Sequence, residues 1–562
     1  MSNNKYPDTD ECQHVSYHLP RWDENGKCHW NDIQLQDKSL NAKAKCILPP
    51  TKVIPVIFIP GIMGTNLMSR GDDKKEMWRG DAGYEVFFQW ASRTGHERKN
   101  ILNPEVTEVD NRGLIDHEIY TPFSDDGGLF PKRHDRGWGE SLNYSYGRFL
   151  NVFQAALIND WQSDILNYEN IAKGSQLSLP YASILNELVE HHLETEEKDN
   201  EQVLQLKELN HFKKFLFPLH VFGYNWLEDN AISAANLAQY IDKVLATYKY
   251  RCGYGLAIEQ VILVTHSMGG LVARYAMNPT PESTFEGCQN KVLGVVHGVI
   301  PDLGSPAAYR RMGTGASEEG YTAGRILGWS AKELMPVLAQ SPAPLQLLPD
   351  PSYKSPWLFI QGEGHYPKTT DPETGKLDPF KDIYFRNDIW WKLYRSDILD
   401  KDVGVIERNW KSYVKLMETK VRQFMNHQEK KLYHPNSYVF YGNHVDSDGY
   451  LDWVPTTLTL SPYVFSHGEP NIPPTNRQKR EKDQLAKEFK LTSSKTPGDG
   501  TVPVESFSAI YAHKSIKSIL ATNVDHQDAY KVDDIADIKK RPAIQFTLRA
   551  IIKMVMDVPS ND

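Results

Sequence analysis

A chain of 562 residues that is 40% hydrophobic and 11% aromatic, with 13 Trp and 28 Tyr, can bury a large core and is too rich in rings for disorder. Its net charge of -9 argues against a nucleic-acid partner, which would call for a basic face. The five cysteines are odd in number and include no C-x-x-C pair, so neither a disulfide scaffold nor a zinc site is expected.

Residues 1–50 read as an N-terminal extension without a clear period. It begins MSNNKYPDTDECQHV, polar and without the apolar stretch of a secretory signal, and the chain has no run of 18 apolar residues. The expectation is synthesis in the cytoplasm and, for any export, a route that needs no cleavable leader. Lys52–Ile59 (KVIPVIFI) then reads as a buried strand, too short and too β-branched for a helix, running into the Pro/Gly turn PGIMG. Leu216–Trp226 reads as a second strand. After it, Asp229 or Asn230 can cap a helix with Leu237, Tyr240, Ile241, Val244 and Leu245 on one face.

Val261–Thr265, Val292–Ile300, Ser437–Gly442 and Ser515–Val524 supply four more strands. Apolar strands alternating with amphipathic helices predict an α/β fold, a mostly parallel sheet with helices on both faces and ligand sites at the strand C-termini. On this scheme 51–70, 216–305 and 437–562 form the core. Residues 71–215 and 306–436 are too long for loops and are expected to form a first cap insertion and a second cap or lid insertion. A further insertion, 443–497, includes the charged run Thr475–Lys490, the pattern of a solvated helix or linker.

The chemistry concentrates at the strand ends. VILVTHSMGG places Ser267 between an apolar strand and a helical pattern, the position from which a serine hydroxyl can be presented on a rigid turn. Thr265 stands where the pattern G-x-S-x-G has its first glycine. Downstream, PGDGTVPVES puts Asp499 in a Gly-flanked turn, and NVDHQDAY puts His526 just past a strand, giving the order Ser, acid, His. The expected roles are Ser267 as nucleophile, His526 as general base and then acid, and Asp499 as the carboxylate that orients the imidazole. Taken singly, Asp499 could merely close its own turn and His526 could be a loop histidine. Backbone N–H groups of Met268 and Met63 are the candidate oxyanion donors.

Ile326–Leu348 is rich in Leu, Met and Ala and broken by prolines, a composition suited to a lid that meets acyl chains or a membrane; Trp329, Leu334, Met335 and Leu338 are its candidate substrate contacts. Burial in the cap core is the other reading, and Phe87–Trp90 (FFQW) allows the same two. Asp446 and Asp448 in D-x-D-G match the start of a calcium loop, but Thr457 holds the place of its bidentate Glu, so a turn and no metal is expected.

Taken in order, PVIFIPGIMGTNL, FGYNWLEDN, VTHSMGGLVAR, YGN and GDGTVPVES with a following His resemble the lecithin:cholesterol acyltransferase-like lipases. VTHSMGGLVAR is also similar to the serine motif of PGAP1-like hydrolases. With GYNWLEDNAISA, PDLGSPAAYRRM and ELMPVLAQSPAPLQLLP added, the series most resembles bacterial phospholipase effectors of type VI secretion. The resemblance implies an α/β-hydrolase fold, no cofactor, and cleavage of glycerophospholipid esters in the membrane or periplasm of a target cell. It also implies a secretion-apparatus partner and an immunity protein that blocks the site. An acyltransferase sharing the same acyl-enzyme, and a non-catalytic lipid- or partner-binding protein of the same fold, are the alternatives.

Overall fold

The computed structural model describes residues 52–560 except residues 82, 354, 431 and 512 and the segments 118–124, 159–183, 194–195, 200–202, 252–258, 400–402, 457–476 and 480–487. Before residue 52 it describes only 15–18, 21–22, 28–30, 43–46 and 50. Most of the N-terminal extension, most of the charged run 475–490 and Thr457 therefore lie outside the described residues.

Seven strands form the central sheet: β1 (Val56–Ile59), β2 (Glu196–Asp199), β3 (Leu219–Val221), β4 (Val261–His266), β5 (Val292–Gly298), β6 (Ser437–Gly442) and β7 (Ile516–Thr522). Their spatial order is β2-β7-β6-β5-β4-β1-β3. Every neighbouring pair is parallel except the edge pair β2–β7. The helices packed on the sheet or set in the insertions include α1 (Gly83–Trp90), α2 (Gly95–Ile101), α3 (Asn230–Ala246), α4 (Gly269–Met277), α5 (Pro306–Thr314), α6 (Tyr321–Leu327), α7 (Ala331–Leu338) and α8 (Pro542–Met554).

Because a strand alternates its side chains, the apolar runs feed two cores. Ile57, Ile59, Leu263, Val295 and Ile519 pack with Leu237 and Ile241 of α3 and Leu271 and Val272 of α4. Val56, Phe58, Ile262, Val264, Val296 and Leu520 pack on the opposite face with Phe546, Leu548 and Ile551 of α8. Each such side chain contributes about 1.5–3 kcal/mol by leaving water, before entropy is counted. This is the α/β-hydrolase architecture, with helices on both faces of a mostly parallel sheet.

Two predicted strands are shorter than their apolar runs. Lys52–Ile59 breaks at Ile54 and Pro55, and Leu216–Trp226 breaks at Phe217 and Pro218, since proline has no N–H for the ladder. Beyond Val221 the second run leaves the sheet altogether. The N–H of Gly223 turns to Glu140 Oε2 at 2.7 Å, and the Tyr224 hydroxyl reaches the carbonyl of Pro60 at 3.0 Å. The helix cap is Asp229, whose side chain accepts from Ala231 N–H.

The insertions build their own structure. Leu67–Ser69, Glu76–Trp78 and Thr107–Val109 form a small sheet that begins inside the stretch assigned above to the core. The later insertions share a five-stranded sheet and an aromatic core containing Tyr309, Trp357, Tyr384, Trp391 and Trp453. Asp446–Gly449 is not the turn expected from D-x-D-G. It lies within the long strand Val445–Pro455, irregular between Asp448 and Tyr450, and the Asp448 carboxylate pairs with Arg310 and Lys495.

One buried cation joins the first insertion to the second. The Arg98 guanidinium donates to the carbonyls of Trp90 at 2.6 Å, Arg325 at 2.8 Å and Ile326 at 2.7 Å, in the last turns of α1 and α6, and its Nε donates to Arg93 O. Burial lowers its pKa to about 10, which still leaves it charged at neutral pH. Carbonyls at helix C-termini carry partial negative charge and suit such a donor. Arg98→Met should take this donor from the carbonyls of Arg325 and Ile326 and leave that of Trp90 with only the N–H of Arg93. The expected result is faster amide hydrogen exchange across 83–101 and 321–338 with β4 and β5 unchanged; uniform protection in both regions would contradict this clasp.

Candidate active site

Ser267 sits on the turn between β4 and α4 with φ of +53°, a conformation that non-glycine residues seldom adopt. The strain is held by both neighbours: Ser267 N–H donates to Gly298 O of β5 at 2.9 Å, and Gly270 N–H closes back on Ser267 O. A Cβ on Gly269 would lie 2.6 Å from the carbonyl oxygens of Ile59 and Pro60, so only glycine lets α4 start this close to the end of β1. Thr265 is accommodated by facing across the sheet. It pairs with His297 of β5, its Oγ1 lies 3.3 Å from His297 Nδ1, and its carbonyl accepts from the Tyr530 hydroxyl at 3.1 Å.

The turn after the insertion strand Glu488–Gly498 and the loop after β7 bring the other two candidates to Ser267. His526 Nε2 lies 2.8 Å from Ser267 Oγ, and His526 Nδ1 lies 2.7 Å from Asp499 Oδ2. A carboxylate only accepts, so Nδ1 carries the proton and Nε2 offers its lone pair to the hydroxyl. The other carboxylate oxygen of Asp499 accepts from Thr501 N–H at 3.0 Å and Val502 N–H at 2.7 Å. Asp499 thus closes its own turn and orients the imidazole at once. His526 N–H donates to Asp499 O at 2.8 Å, which ties the two loops together.

The turn after β1 forms the third side. A Cβ on Gly61 would meet Ser267 Cβ at 3.0 Å, so this loop backs directly onto the serine. Met63 adopts φ of +62°, and its carbonyl is turned away to accept from Trp78 Nε1 at 3.0 Å. Among the described residues no partner engages the N–H of Met63 or that of Met268. Both therefore remain candidates for the donors that an oxyanion requires.

A hydrogen-bond chain that the motif does not announce joins these parts. His266 Nε2 faces the carbonyl of His526 at 2.8 Å, so it must carry the proton, and Nδ1 then accepts from the Tyr146 hydroxyl at 2.6 Å. Tyr146 Oη in turn accepts Gly61 N–H at 3.2 Å. Burial lowers the His266 pKa to about 3, which keeps the ring neutral as this chain needs. The relay runs from the Gly61 turn to the backbone of the candidate base. His266 adjoins the serine and was in plain view in THSMGG; Tyr146 lies in the first insertion with no signal around it.

Ser267 is 3% exposed and Asp499 wholly buried, so the site is closed. Of the candidate lid contacts, Met335 is buried in the cap's aromatic core and Leu338 packs against the same core. Leu334 is buried beside Gly328, and Trp329 is half-buried among rings. A hydroxyl, an oriented imidazole, a buried carboxylate and unpaired amides together make up the parts needed for acyl transfer.

A chain of the solved Tle4–Tli4 complex is similar to this protein over 90% of this chain and 99% of that one, with a TM-score of 0.69 and 26% identity. No family model matches, and no curated protein matches.

The Thr265–His297 pair has a pH signature. Burial lowers the His297 pKa to about 3 from an unfolded value of 6.5, so between these limits the unfolded chain holds a proton that the folded chain excludes. That contribution to stability is complete above pH 6.5 and is lost as pH falls toward 3, at up to about 1.4 kcal/mol per pH unit. His297→Gln should unfold at a lower temperature than the parent at pH 7, with the gap narrowing at pH 5. A gap that is the same at both pH values would contradict the sign.

Proposed function

We propose that the protein is a serine esterase that hydrolyses acyl esters of glycerophospholipids, a phospholipase A-type lipase. The observation that carries this reading is the continuous hydrogen-bonded line from Ser267 Oγ through the His526 ring to Asp499. In the proposed reaction His526 Nε2 takes the Ser267 proton as Oγ attacks the ester carbonyl. The N–H groups of Met63 and Met268 receive the oxyanion. His526 then returns the proton to the leaving alcohol, and the acyl-enzyme forms. Water activated by the same imidazole attacks the acyl carbonyl, frees the fatty acid and restores the hydroxyl. Asp499 stays ionised and stabilises the imidazolium at each stage.

Phospholipid as substrate rests on the motif order, which resembles lipase effectors of type VI secretion, and on the likeness to the chain from the Tle4–Tli4 complex. The kinship with lecithin:cholesterol acyltransferase-like and PGAP1-like proteins rests on motifs alone. On the same basis the protein acts as an antibacterial effector. It is delivered by a secretion apparatus to the membrane or periplasm of a target cell and blocked in its producer by an immunity protein. That the similar chain was solved in a complex supports a protein partner. An acyltransferase shares the first half-reaction and would pass the acyl group to an added alcohol, which mass spectrometry of the products resolves.

Ser267→Ala, Asp499→Asn and His526→Ala should each lower phospholipid hydrolysis on the order of a thousandfold or more with the fold intact. A fluorophosphonate should label Ser267 in the parent. Full activity in purified Ser267→Ala would overturn the mechanism. Tyr146→Phe deletes the hydroxyl of the relay to His266, so kcat should fall about tenfold while KM holds. An unchanged kcat would show that the relay does not position the base.

A further inference from the structure

Two aromatic side chains outside the catalytic geometry stand open to solvent where the insertions meet. Phe88 of α1 is 76% exposed, and Tyr321, the first residue of α6, is 63% exposed. Both belong to one run of rings. Phe88 lies 5.8 Å from Phe87, Phe87 lies 6.2 Å from Tyr321, and Tyr321 lies 5.8 Å from Trp329. The Arg325 guanidinium spreads over Tyr321 at 5.6 Å and Trp329 at 5.1 Å. Among the described residues it has no ion pair.

Such an arrangement is held rather than incidental. Arg98 clamps the last turns of α1 and α6, so the rings are presented from a fixed base. Arg93 over Trp90 and the exposed Lys332 add positive charge, while the Glu333 carboxylate accepts the N–H of Trp329 and its charge acts on the buried Arg98. In a chain of net charge -9, a cationic spot set among exposed rings is a local inversion that selects for an anion. Flat rings beside a guanidinium fork match one layered environment well: the boundary of an anionic bilayer, where rings enter the glycerol and acyl region and the fork meets phosphodiester oxygens.

We infer that Phe88, Tyr321 and Arg325 form the surface by which the protein docks on an anionic phospholipid bilayer. The inference rests on the phospholipase reading and places its membrane contact. Docking here would hold the cap, and with it the closed site, against the lipid that the proposed chemistry consumes.

The test uses full-length Ser267→Ala protein, so that binding is read without hydrolysis, in co-sedimentation with vesicles of phosphatidylglycerol and phosphatidylethanolamine or of phosphatidylcholine alone. Phe88→Ser with Tyr321→Ser should weaken binding at least tenfold, and Arg325→Gln should remove the preference for phosphatidylglycerol. Phe88→Trp, which keeps a ring and enlarges it, should bind at least as tightly as the parent. With Ser267 restored, the double variant should keep its rate on soluble p-nitrophenyl butyrate and lose at least tenfold on vesicles. Undiminished vesicle binding by the double variant, or weakened binding by Phe88→Trp, would overturn the docking surface. A parent that cleaves the soluble ester yet ignores vesicles would also overturn it, pointing to a protein occupant and leaving the esterase intact. Ring-dependent vesicle binding in a protein that cleaves no ester would instead sink the phospholipase reading alone.

Discussion

A serine held at positive φ between a strand and a helix cannot relax without breaking the turn, and much of the surrounding structure serves to keep it there. The N–H of Ser267 is taken by β5, Gly269 lets α4 begin against the end of β1, and Tyr530 holds the carbonyl of Thr265. Strain of this kind costs on the order of 1–3 kcal/mol and persists only where several contacts oppose relaxation together. The sheet supplies them because β4 lies between β1 and β5. A threonine at the position usually held by glycine is tolerated for the same reason: the neighbouring strand gives its side chain a place beside His297.

From this fixed point the remaining groups are positioned by backbone as much as by side chain. His526 is bonded through its ring to Ser267 and Asp499, through its N–H to Asp499 O, and through its carbonyl to His266. An imidazole restrained at ring, N–H and carbonyl has little freedom to leave the line between Ser267 and Asp499. The Gly61 turn is coupled to the same frame by Tyr146, so the candidate oxyanion loop and the candidate base share one reference.

The parallel sheet was legible in the sequence because its strands are buried on both faces and so appear as unbroken apolar runs. Ser437–Gly442 matches its predicted bounds to the residue. Where the reading overran, the reason is local: Pro55 and Pro218 interrupt their ladders, and Phe222–Trp226 stays apolar because it packs under the Gly61 turn rather than in the sheet. Ser267, Asp499 and His526 stood out because each follows a strand. Tyr146 could not, since a tyrosine 120 residues before its partner leaves no mark in spacing. Asp448 misled for the opposite reason, a local pattern whose partners, Arg310 and Lys495, lie elsewhere in the chain.

The clasp at Arg98 also sets an order in time. Its acceptors at Arg325 and Ile326 lie 227 and 228 residues further along, and the imidazole that serves Ser267 comes 259 residues after it. During synthesis the hydroxyl, its strand and the first insertion all emerge before the groups that complete them. A growing chain therefore carries a first insertion without its anchor until α6 is made, and Ser267 without its candidate base until the last strand and its loop are made. The hydrogen-bonded line from Ser267 to Asp499 cannot form for most of translation.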